Sequence, residues 1–174
     1  MKNKYFFIFF IVALLGMFGG VFLYRYFIQT KVIHFHASFQ VYIDNTLQDY
    51  SNQKYMSLLP CGKAYTDPAL EQSEKAHLHS QVGYIVHVHR IGATWGDLFG
   101  NMRVSLDKKK PMVTYVNGKQ VKNIFSEPIH PYDRALILIG NHGSLSEYLK
   151  KQTTISRIMQ IEKGTYEACG TSAQ

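Results

Sequence analysis

Six of the eight histidines in this chain fall into three His-x-His pairs: His34 and His36, His77 and His79, and His87 and His89. Neutral imidazole is the commonest metal ligand among side chains, and it suits zinc, copper, nickel and iron. One such pair is ordinary on a half-polar strand. Three pairs, two of them inside the stretch HLHSQVGYIVHVH at 77–89, point to shared coordination. No thiolate or thioether cluster accompanies them, which disfavours copper(I) and leaves copper(II) or zinc(II) as the expected ion. His130 in PIHP and His142 in GNHGS read as loop residues and are not expected to ligate. No general base or substrate-pocket signature stands out, so no catalytic residue is assigned and a binding role is expected over an enzymatic one. Asp44, Asp49 and Asp97 are the carboxylates considered for orienting the rings, with nothing to choose among them.

A spacing of two matters because side chains alternate across a strand. From Val32 the row Ile33, Phe35, Ala37, Phe39, Val41 and Ile43 is apolar, and the row His34, His36, Ser38, Gln40 and Tyr42 is polar. That predicts a half-buried strand with both histidines on its outer face. The 77–89 stretch predicts a hairpin. A three-residue turn at Gln81-Val82-Gly83, with Gly83 left-handed, sets His77 opposite His87 and gathers four imidazoles on one face. Directly opposed Cβ atoms lie about 4.5–5.5 Å apart, within reach of one ion. The other face then carries Ala76, Leu78, Val86 and Val88 as core.

Further elements follow from local chemistry. Asp67 and Pro68 predict a short helix over 68–75. Thr94 and Asp97 predict a capped helix carrying Trp95, Leu98 and Phe99. Met112–Val116, Asn117-Gly118 and Gln120–Ile124 predict a second hairpin, and RALILI at 134–139 a central strand. Ser144 and Glu147 predict a capping box opening a helical tail, with a further turn or two around Ile155–Glu162.

The N-terminus predicts a membrane element. Tyr5 through Tyr24 carries no charge, and about 20 apolar helical residues cross a hydrocarbon layer. Lys2 and Lys4 ahead of it favour a cytoplasmic N-terminus and an extracytoplasmic body, in a single-pass protein of the cell membrane. Three segments are therefore expected: an anchor over 1–28, a His-rich domain over 29–143 and a helical tail over 144–174. The membrane is the expected partner through the first helix, with other membrane-protein subunits as further partners. Cys61 and Cys169, the only cysteines, then fit one disulfide in an oxidising space. No Cys-x-x-Cys is present, which removes a thioredoxin-like role. The formal charge is +7, but the basic residues are scattered apart from Lys108-Lys109-Lys110, and nucleic acid is not an expected partner.

The order of hairpin, helix, strand, Asn-Gly turn and strand resembles a β-grasp domain. GATWGDLF, VTYVNGKQV and YDRALILIG, between Gly92 and Gly140, are similar to the second half of the ThiS/MoaD-type sulfur carriers. Those proteins end in an adenylated Gly-Gly, whereas this chain continues past Gly140, so their activity does not transfer. The body as a whole resembles a family of uncharacterised membrane-anchored archaeal and bacterial proteins. The matching motifs are HFH at 34–36, HLHSQVGYIVHVH at 77–89, GATWGDLF at 92–99 and the closing YDRALILIG. That resemblance implies an exported β-rich domain with a histidine cluster. The expected class is α+β: an N-terminal transmembrane helix, a β-grasp-like mixed sheet with one short packed helix, and a helical C-terminal tail. Three functions fit: a membrane-tethered extracytoplasmic copper or zinc protein acting as carrier, buffer or accessory subunit; a zinc-dependent hydrolase or hydratase; or a metal-independent interaction subunit of a membrane complex.

Overall fold

The computed structural model describes residues 2–29, 32–59, 63, 65–107 and 109–163. By contacts the chain forms two units, Met1–Lys31 and Val32–Gln174. The first holds helix α1 (Lys2–Gln29). The second is a mixed α+β domain built on a seven-stranded sheet.

Its strands are β1 (Val32–Ile43), β2 (Thr46–Leu47), β3 (Ala76–His77), β4 (Ile85–Arg90), β5 (Met112–Val116), β6 (Lys119–Val121) and β7 (Arg134–Ile139). They lie in the order β3-β4-β1-β7-β5-β6, with β2 paired to β1. β1 and β7 run parallel, and every other pair is antiparallel. β7 is central because it is apolar on both sides: Ala135, Ile137 and Ile139 enter one core, Leu136 and Leu138 another. The helices are α2 (Pro68–Lys75), α3 (Trp95–Asn101), α4 (Leu145–Lys151) and α5 (Ile155–Lys163).

The apolar row of β1 does what its period predicts. Ala37, Phe39 and Val41 are buried with Val86 and Val88 of β4, and with Trp95, Leu98 and Phe99 of α3. α3 starts there because Thr94 and Asp97 form a complete capping box. α2 is capped by Asp67, whose carboxylate accepts from the Ala69 N–H at 2.8 Å, with Pro68 at the first position. The Asn117-Gly118 turn has φ of 51° and 78°, the two positive values that a tight hairpin needs. Ser144 precedes α4 as expected but makes no side-chain capping bond.

The sequence expectations need four corrections. Among the described residues no helix is long and apolar enough to cross a membrane. The transmembrane anchor over 1–28, the single-pass location with a cytoplasmic N-terminus and the extracytoplasmic body therefore lose their support. α1 is helical over Lys2–Gln29. The expected architecture is corrected with it. The domain is a mixed α+β seven-stranded sheet with several helices and, among the described residues, no membrane-crossing helix.

The third correction concerns the outer face of β1, which is covered. Tyr42 packs with Leu136, Leu138 and Tyr148 of α4, while Ile85 packs with Ile158 and Ile161 of α5. The tail folds back because Ile158 and Ile161 make α5 amphipathic and leave it an apolar stripe to bury. The fourth concerns the 80–83 turn. Ser80 and Gln81 carry the positive φ values, 53° and 58°, and the Val82 N–H donates to the His79 carbonyl at 3.0 Å. Gly83 is needed for proximity instead: a Cβ there would sit 2.3 Å from the Ser51 nitrogen. Cys61 and Cys169 lie outside the described residues.

Candidate metal centre

Three adjacent strands bring the histidines together. In the register of β3, β4 and β1, His77 faces His87 and His87 faces His36, so one row of imidazoles crosses the sheet. The sequence pattern leads to that pairing even though the turn reaches it differently. An irregularity in the β1–β4 pairing between Val32 and Phe35 turns the start of β1, and the His34 ring lies parallel to His89 with centres 4.8 Å apart.

The six rings close on themselves. The centre-to-centre distances are 4.7 Å for His34–His36, 4.5 Å for His36–His87 and 5.5 Å for His87–His79. They continue at 5.2 Å for His79–His77, 5.2 Å for His77–His89 and 4.8 Å for His89–His34. His36, His77, His87 and His89 are buried, His79 is half-buried and His34 is exposed. All six predicted residues thus share one cluster. His130 and His142 lie elsewhere: His130 is exposed beside Asp133 at 3.4 Å, and His142 contacts the Gly143 carbonyl.

His34, His36 and His87 could hold a metal ion, because each offers a ring nitrogen and these nitrogens all lie within 4.8 Å of one another. His36 Nε2 and His87 Nδ1 are 3.2 Å apart. Two nitrogens bound at about 2.0–2.1 Å to a tetrahedral ion stand about 3.3 Å from each other. The donor set is nitrogen only and neutral, as zinc(II) and copper(II) accept.

The supporting carboxylate comes from the tail. Glu162 of α5 places Oε1 3.8 Å from His36 Nδ1, on the opposite side of the ring from the nitrogen that faces His87. Its other oxygen accepts from the Tyr132 hydroxyl at 2.8 Å, and that hydrogen bond to a carboxylate raises the phenol above its ordinary pKa. The Tyr132 N–H in turn donates to the His36 carbonyl at 2.7 Å, tying the 130–133 turn to the same strand. At 3.8 Å the Glu162 carboxylate lies beyond hydrogen-bond reach of His36 Nδ1 and acts on the ring as a nearby negative charge. The three aspartates named from sequence are engaged elsewhere. Asp44 pairs with Lys110, Asp49 accepts from the Ser51 N–H, and Asp97 caps α3. Burial pushes the Asp97 carboxyl up, but hydrogen bonds from Gln72 and Thr94, with Lys75 nearby, hold it below the usual range. The signal for Glu162 was its place one helical turn after Ile158, on the face of α5 that meets the sheet.

β4 carries a second polar group on its opposite face. Arg90 is buried and forms a two-pronged pair with Glu71 of α2, with Nη2 to Oε2 at 2.8 Å. Arg90 also donates to the carbonyls of Lys63 and His89. The guanidinium hydrogen bonds draw the Glu71 carboxyl below its ordinary pKa.

No known protein family, curated protein or solved structure matches this chain. Its class is defined by its own fold and site: an α+β domain whose sheet carries a cluster of three histidines able to hold a metal ion.

Proposed function

We propose that this protein binds copper(II) or zinc(II) at His34, His36 and His87 and serves as a metal carrier, buffer or accessory subunit. The observation that carries this reading is the convergence of three ring nitrogens, all within 4.8 Å, from two paired strands. Nitrogen-only ligation favours these two ions, with copper(II) the tighter at equal availability. His34 is exposed while His36 and His87 are buried, which suits an ion that enters from solvent and leaves again. A cavity of about 490 Å³, lined by Phe39, Val41, Tyr50 and Tyr84 among others, includes none of the histidines in its wall.

Isothermal titration of the whole chain with zinc(II), and with copper(II) in a weakly chelating buffer, tests the proposal. Saturable stoichiometric binding is expected, and the double variant His36→Ala/His87→Ala should lose it at the first site. Equal binding by both proteins would overturn it.

A further inference from the structure

We propose that His77, His79 and His89 form a second metal site beside the first, so that the six imidazoles hold a pair of ions. This rests on metal binding at His34, His36 and His87 and goes beyond it. Two imidazoles on one tetrahedral ion have ring centres about 5 Å apart, given bonds of about 2.0–2.1 Å. His77 stands 5.2 Å from His79 and 5.2 Å from His89.

A second observation sets the chemistry of His77. Its Nδ1 lies 3.0 Å from the Ser73 carbonyl oxygen, the residue two positions before the end of α2. A carbonyl only accepts, so Nδ1 carries the proton and Nε2 carries the lone pair. A backbone carbonyl behind one ring nitrogen, leaving the other basic, is the arrangement that prepares a histidine to ligate. In the other half, the Glu162 carboxylate stands 3.8 Å from His36 Nδ1.

The halves touch where His34 stacks on His89 at 4.8 Å and where His87 lies 5.5 Å from His79, so two bound ions would be close neighbours. They differ in readiness. Among the described residues only the first group has all its ligating nitrogens within 4.8 Å. His79 sits at the edge of the Ser80-Gln81 turn, outside the paired strands, and is the arm that closes on the second ion by a change of rotamer. The second ion therefore binds more weakly than the first.

The test uses the whole chain loaded with excess copper(II), desalted, and measured for copper content and by electron paramagnetic resonance. Two copper ions per chain are expected, with a spin count below the copper count and a half-field transition, because copper(II) ions this close couple magnetically. The variant His77→Ala/His79→Ala should retain one ion with a full spin count. One ion in the unaltered protein, or two with a full uncoupled spin count, overturns the second site and leaves the first intact. No bound copper in the unaltered protein overturns the first site, and the pair with it. Should the variant fail to fold, the spin count of the unaltered protein still decides.

Discussion

The two faces of β4 come from six consecutive residues and carry opposite chemistry. Val86 and Val88 enter the main core with Ala37, Phe39 and Trp95, while Ile85, His87 and His89 face α5 and the other imidazoles. Both faces are buried. An apolar side chain is stabilised by leaving water whatever its neighbours, at about 25 cal/mol per Å². A buried imidazole costs free energy unless its nitrogens find partners. The apolar face thus tolerates any well-filled arrangement, whereas the histidine face is committed to a particular geometry. On β4 the main core lies on one side, and the imidazoles lie with the smaller Ile85 cluster on the other.

The largest effect that would sharpen this division is on the apolar side. Trp95 is fully buried, and Trp95→Ala should cost about 3–5 kcal/mol in chemical denaturation. Metal stoichiometry, measured below the shifted midpoint, should stay unchanged. Next, on the other side, His87→Ala should remove the stabilisation that an ion at His34, His36 and His87 would confer. For the unaltered protein that stabilisation is about 2.7 kcal/mol at a ligand concentration one hundred times Kd, read as a rise in Tm. A variant that keeps the full rise would break the comparison.

The smallest expected effect concerns the polar group on the apolar side. The Glu71 carboxyl is held below its ordinary value of 4.5 by Arg90, so its contribution is present above that value and is lost as pH falls through the lowered one. Glu71→Gln should therefore flatten the acid limb of the stability profile below about pH 4.5. It should also weaken the protein at neutral pH by roughly 1.5–3 kcal/mol, the worth of hydrogen bonds to a charged group. An unchanged acid limb would place the acid sensitivity elsewhere, with Asp97 the next carboxylate to vary.

Much of this was legible in the residues. Period two in 32–43 and the apolar run at 134–139 mark β1 and β7, and the Thr94–Asp97 spacing marks α3. The pairing of His77 with His87 is predicted by a three-residue turn and by matching apolar rows together, and the rows hold the register where the turn differs. The turn departs from its local prediction because Ser80 and Gln81, not Gly83, are the left-handed residues. The real constraint on Gly83 is the Tyr50–Ser51 backbone, a long-range contact invisible to local reasoning. The covered outer face was missed for a similar reason. Ser38 and Gln40 look like solvent-facing residues, and only the return of α4 and α5 over the sheet makes that face interior. Glu162 was out of reach for as long as the tail was treated as a separate segment.

The parallel pairing of β1 with β7 bears on when the proposed metal site can form. A nascent chain that has not yet reached Arg134 already contains all six imidazoles, yet it lacks the strand that pairs with β1 and the Glu162 carboxylate beside His36. Such distant pairings form late and slowly. If the proposed site binds an ion, loading belongs to the finished polypeptide, because an ion captured during synthesis would meet loose histidines before any framework existed to arrange them.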